Sequence, residues 1–347
     1  MDSMVFDCDG VLIDTKGSYD AAITYTADSL IRRMFGVSLP WKENTGPLVQ
    51  GLRNTGMFNN DWDVVYGLAL YASCSLPAKY RNMRSIGSEG GRGELDRPSK
   101  GEASKTFTGA RLMVGRLARS SDAKVNRKAA EAVWKTIPKD ELALCERVRE
   151  YLGYPGNPPS SLLASLFDEV YHGGNLYRKM YGLEPRYHRG KGFIERDRVI
   201  IRKSDLDSLS EEVDGRLAVA TGRPKLAAEY SLGKLISYFR LGASVFIGDG
   251  DIRPTPEAES FKKPSGKSLL WAKEKFGSKR LLYIGDSAED LQMVTNARRS
   301  TDGFVFAGIY ASSYEPAEQV SFFKREGAEL ILPSVRSMAM VMRGMAV

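Results

Sequence analysis

The chain is poor in the residues that soft-metal and redox chemistry require. Of 347 residues, three are cysteine and two are histidine. Cys8, Cys74 and Cys145 stand far apart in the chain, and no Cys-x-x-Cys occurs. That argues against a zinc site. The odd number points to a reducing cytoplasm, not to a disulfide framework. Long apolar runs are also missing, so no segment is expected to cross a bilayer and no membrane partner is expected. Met4–Phe6 already reads as strand, so a basic leader with an apolar stretch is not expected either. What is present describes a globular protein with a real core: 42% hydrophobic and 27% charged residues. The length suits two domains.

The net charge is +7. Residues 81–140 hold fourteen Lys/Arg against seven Asp/Glu, so this one segment carries the whole excess. Such a segment is ordinarily a solvated helical face, but it can also draw phosphates, nucleic acid or an anionic surface.

Two textures alternate along the chain. Met4–Phe6 stands alone as a strand. From about Gly17 to Gly192 apolar residues recur at helical spacing, over Tyr19–Phe35, Trp62–Ser75, Gly109–Ala118, Ala129–Trp134 and Ser160–Tyr181. Ser85–Lys105, rich in Gly, Ser and charge, reads as a loop, and Tyr154–Ser160 as a second break. From about Arg196 short apolar strands alternate with amphipathic helices: Leu217–Ala220, Ser244–Ile247, Leu281–Ile284, Phe304–Ile309 and Leu330–Leu332. This predicts an α/β fold, a Rossmann-like doubly wound parallel sheet that the first strand joins from across a large, mainly α-helical insert. The expected core is residues 1–16 and 196–347, and the insert 17–195.

Polar residues gather where these strands end. The first runs into Asp7-Cys8-Asp9-Gly10, the second into Thr221-Gly222-Arg223-Pro224, and the fourth into Gly285-Asp286-Ser287 with Asp290 one turn on. Phe261-Lys262-Lys263-Pro264 precedes the fourth. In a parallel sheet these ends lie along one edge and converge on one crevice. Two carboxylates one residue apart repel each other and resist burial. A hard cation such as Mg²⁺, which prefers oxygen ligands, would offset that cost. Asp7, a nearby backbone carbonyl and Asp286 could supply the ligands. An ionised Asp7 could then attack phosphorus, with Asp9 as proton donor and later general base. Gly10 suits a sharp turn. Thr221, Gly222 and Lys263 suit phosphate binding, and Asp290 could back Lys263 or a metal-bound water. Lys263 is preferred to Lys262 because Pro follows it. Gly248-Asp249-Gly250-Asp251 also follows a strand, but it lacks the helix start seen after Asp286 and reads as structural. Asn59, Asn60 and Asp61 could reach a substrate or cap the helix near Trp62. His172 and His188 read as structural, and Cys8 should point into the core.

Four motifs, in order and each beside its strand, resemble the haloacid dehalogenase (HAD) superfamily of phosphohydrolases. Asp7-Cys8-Asp9-Gly10-Val11-Leu12 is similar to its first motif, Thr221-Gly222-Arg223-Pro224 to the second, Lys263-Pro264 to the third, and Gly285-Asp286-Ser287 with Asp290 to the fourth. The resemblance covers roughly residues 1–16 and 196–347. It implies a subfamily I type core with an enlarged helical cap between the first and second motifs. It further implies Asp7 as nucleophile, Asp9 as acid/base, Thr221 and Lys263 as phosphate binders, and Asp7, the Asp9 carbonyl and Asp286 as Mg²⁺ ligands. The second Asp separates the chain from the dehalogenase branch. The absence of His from Thr15–Asp20 separates it from the mutase branch. The function implied is a cytoplasmic Mg²⁺-dependent phosphatase acting on a small-molecule phosphate monoester, with the cap excluding water. An alternative is a phosphatase for nucleic-acid ends or phosphoproteins that uses 81–140. Another, of a different class, is a non-catalytic phosphate-ligand binding module.

Overall fold

A computed structural model describes residues 1–58, 60–83, 95–119 and 129–342. The chain divides into two compact units, Met1–Gly17 with Glu195–Val347, and Ser18–Ile194.

The first unit is built on a six-stranded parallel sheet: β1 (Ser3–Phe6), β2 (Leu217–Thr221), β3 (Val245–Phe246), β4 (Leu281–Gly285), β5 (Phe304–Ile309) and β6 (Leu330–Leu332). Their spatial order is β3-β2-β1-β4-β5-β6, so strand order reverses beside β1. Phe6 is level with Val219 on one side and with Ile284 on the other. The strands read as unbroken apolar runs because both faces are covered. Met4, Phe6, Leu217, Val219, Leu282 and Ile284 pack into one core with Leu206 and Leu209 of the helix Lys203–Glu212 and with Val335 and Met338 of the helix Val335–Met342. Val5, Ala218, Leu281 and Tyr283 face the other core, with Leu269 of Lys267–Phe276, Met293 and Val294 of Ala288–Arg298, and Phe323 of Pro316–Arg325. Odd and even positions thus serve opposite faces, as the two-residue period of a strand requires. A small antiparallel ribbon, Ile13–Asp14 with Arg198–Val199, joins the segment leaving the core to the one returning. It is tied by Arg198 to Asp14 at 2.6 Å.

The second unit is helical. Asp61–Ser75 is apolar on nearly every side and buried along most of its length, as expected of a central helix. Lys100–Arg119, Thr45–Arg53, Leu142–Leu152 and Leu162–Tyr181 pack against it. Two expectations are corrected here. The Ser85–Lys105 loop ends sooner than expected, because Ser99 and Glu102 form a reciprocal cap that starts the helix at Lys100; its residues 85–94 lie outside the described residues. Leu162–Tyr181 is broken at Gly173. Cys74 and Cys145, 71 residues apart in sequence, bring their sulfurs to 2.6 Å within this unit. Among the described residues no helix is long and apolar enough to cross a membrane.

Candidate active site

The reversal of strand order places the ends of β1 and β4 side by side, and that is where a doubly wound sheet opens a crevice. Asp7 follows β1 directly, and its N–H donates to Ile284 O at 2.9 Å. Asp286 follows β4. Gly10, with φ +74°, turns the chain across Asp286: a Cβ at Gly10 would stand 1.8 Å from Asp286 Oδ2. Only glycine permits this approach. Ser312 Oγ donates to Gly10 O, and Gln319 Nε2 donates to Asp286 O at 2.9 Å, so the β5–β6 side of the crevice supports both loops.

Asp7, Asp286 and Asp290 each bring a carboxylate oxygen within 4.8 Å of the others. Lys263 reaches into this group, 2.9 Å from Asp7 Oδ2 and 2.7 Å from Asp290 Oδ1. Lys262 turns away to Asp251 and Glu259. Asp290 is used up by protein donors. Lys263 and Tyr283 OH bond its Oδ1, while Asp286 N, Ser287 N and Ser287 Oγ bond its Oδ2. It therefore backs the site and is not itself an open ligand. One ammonium faces three carboxylates, and the imbalance shows in their proton affinities. Burial pushes the Asp7 carboxyl up to about 6, with Lys263 opposing and Asp290 and Asp9 adding to the rise. Burial, then Asp290 and Asp7, hold Asp286 well above the usual carboxylate range. Asp290 is also buried, yet Lys263 and its hydrogen bonds keep it low. Hard oxygen donors with a deficit of positive charge fit a divalent cation such as Mg²⁺, which Asp7 and Asp286 could hold.

Thr221 ends β2, two residues beyond the level of Phe6. It is buried, and its Oγ1 accepts from Arg223 N at 3.2 Å. Gly222 is exposed, with open space where a side chain would stand. Cys8 is fully buried in the core among Met4 and Phe6. The Asp9 carboxylate turns to Arg223 and lies outside the acidic group. Sequence reasoning gave Arg223 no role. Its partners, Asp9 and Asp197, are 214 and 26 residues away, and no local pattern announces such a pairing.

Asn60, Asp61 and the two histidines belong to the helical unit. Asn60 Oδ1 accepts from Trp62 N at 2.8 Å, the capping role weighed above, and Asp61 pairs with Arg53 at 3.0 Å. Asn59 lies outside the described residues. His188 bonds Lys191 O through its ring. Gly248-Asp249-Gly250-Asp251 does start a helix, Asp249–Ile252, contrary to expectation. Its carboxylates are engaged by Lys225 N and Lys262.

No protein-family model and no curated protein matches the sequence. A crystal structure determined as a Northeast Structural Genomics Consortium target aligns over 99% of this chain and 99% of its own, with a TM-score of 0.58 at 15% identity. The likeness is one of fold. A crystal structure from Thermotoga maritima, provisionally assigned as a β-phosphoglucomutase, aligns over 100% of both chains at 14% identity, but its TM-score of 0.40 is too low to carry an argument.

Proposed function

We propose that this chain is a Mg²⁺-dependent phosphatase of the haloacid dehalogenase type that hydrolyses a small-molecule phosphate monoester through an aspartyl-phosphate on Asp7. The observation that carries this reading is the meeting of Asp7, Lys263, Asp286 and Asp290 at the switch point of the sheet, drawn from distant parts of the chain. Asp7 is the nucleophile. Its own backbone neighbour Cys8 N fixes Oδ1 at 2.8 Å and Lys263 fixes Oδ2, so the carboxylate has one orientation. Lys263, Thr221 and Gly222 hold the phosphoryl oxygens as charge develops. Asp9 transfers the proton to the departing oxygen. Asp7, Asp286 and the Asp9 carbonyl would hold Mg²⁺, which supplies positive charge to the carboxylates and the phosphoryl group.

Release of inorganic phosphate from 4-nitrophenyl phosphate tests the reading. Turnover should require Mg²⁺, stop with EDTA, and fall to background in Asp7→Asn while circular dichroism stays native. An Asp7→Asn protein that turned over at the wild-type rate would refute it. A panel of sugar phosphates, nucleotides and amino-alcohol phosphates would then identify the leaving group. Within the described part of 81–140, Arg81 is paired with Glu141, while Lys100, Lys105, Arg111, Arg116 and Arg119 are exposed; binding to an oligonucleotide that weakens steeply with salt would favour the nucleic-acid reading. The binding-module reading predicts phosphate affinity without turnover in the same assay.

A further inference from the structure

The side chain of Arg223 is fully buried and is held by Asp9, Asp197 and Ser231. Its Nε and Nη2 donate to Asp9 Oδ1 at 2.9 and 2.6 Å. Its Nη1 donates to Asp197 Oδ2 at 2.7 Å and to Ser231 Oγ at 2.8 Å, and Ser231 Oγ donates in turn to Asp197 Oδ2 at 2.7 Å. Asp197 is also buried, with its side chain 2% exposed. The guanidinium is thus anchored from behind by Asp197 and Ser231, and it presents a fork to Asp9.

We infer that Arg223 is a positioning residue that fixes the orientation of the Asp9 carboxylate and keeps it out of the Asp7–Asp286–Asp290 group. The inference rests on the phosphatase reading above and deepens it. A carboxylate on a loop beside three others is drawn toward any cation they share, and a proton carrier lost to that cation cannot serve the leaving group. A planar fork anchored on its far side prevents this, whereas a single ammonium would not fix direction. Both of the fork's bonds to Asp9 fall on Oδ1.

In the first step an Asp7 oxygen bonds to phosphorus, the bond from phosphorus to the leaving oxygen breaks, and the Asp9 proton passes to that oxygen. In the second, water bonds to phosphorus while giving a proton back to Asp9, and the Asp7–phosphorus bond breaks to release phosphate. Proton donation matters most when the leaving group is an alkoxide. A nitrophenolate leaves without it.

The test is kcat/KM, which reports the first step, measured for an alkyl phosphate and for 4-nitrophenyl phosphate on wild type, Arg223→Lys and Asp9→Asn. Both variants should lose at least about 10²-fold more on the alkyl ester than on the nitrophenyl ester. An equal loss on both esters by a folded Arg223→Lys protein would overturn the inference and leave Arg223 a purely structural residue. If Arg223→Lys does not fold, Ser231→Ala removes one anchor with little change in volume. It should show the same split at smaller size, and no split would overturn the inference. Wild-type inactivity on both esters with Mg²⁺ would instead sink the phosphatase reading and this inference with it.

Discussion

The carboxyl of Asp7, pushed up to about 6 by burial and by Asp290 and Asp9 against the pull of Lys263, ties the chemistry of the site to its stability. Unfolded, the same group titrates near 3.8. Between those values the folded chain holds a proton that the unfolded chain has released. Stability from this group is therefore full below about pH 4 and is lost as pH rises through about 6, a change on the order of 3 kcal/mol. Asp63, pushed to about 6 by burial, acts in the same direction. The diagnostic is thus a difference: in EDTA the Tm of the wild type should fall between pH 5 and 7 more steeply than that of Asp7→Asn. Parallel profiles would show that the burial of Asp7 costs nothing. The same residue shows what could be read in the sequence. Asp7, Asp286 and Asp290 were legible because each stands where a predicted strand or its following helix must place it, and Lys263 was chosen over Lys262 because Pro264 follows it. Arg223 was quoted with its motif yet given no role, because only the folded chain brings Asp9 and Asp197 to it.

Elements were legible in proportion to how far local pattern and burial agree. Phe304–Ile309, Leu330–Leu332 and Ala129–Trp134 match their sequence reading residue for residue, since apolar runs and clean helical spacing leave one assignment. Thr45–Arg53 was not foreseen: it carries Gly46, Pro47 and Gly51, which lower helix propensity, and its helix is secured by packing Leu48, Val49 and Leu52. The break in Leu162–Tyr181 is of the same kind. Gly173 has φ 75° and ψ 157°, a region that is essentially reserved for glycine, and a Cβ there would stand 2.4 Å from Gly192 N. Gly182 also has positive φ, but with open space around it. Gly173→Ala should therefore lower unfolding stability by about 3 kcal/mol or more, and Gly182→Ala by about 1 kcal/mol, in urea titration. Equal losses would mean that the close approach at Gly173 imposes no constraint.

At the scale of the whole chain, the candidate site exists only because a four-residue strand at one end pairs with strands more than two hundred residues away. The fold places three carboxylates and one lysine at that junction, so without a cation the junction works against itself. Two consequences follow in opposite directions for Asp286→Asn. It removes one of three mutually repelling charges, so in EDTA the variant should melt at a higher temperature than the wild type. It also removes an oxygen that would hold Mg²⁺, so the rise in Tm that saturating Mg²⁺ gives the wild type should be lost; at a hundred times Kd that rise corresponds to about 2.7 kcal/mol. Differential scanning fluorimetry with EDTA and with a Mg²⁺ series reads both effects on one plate. An Asp286→Asn protein that responded to Mg²⁺ as the wild type does would place the cation elsewhere. Asp286 would then be a half-buried charge without a function to explain the approach of Gly10 across it.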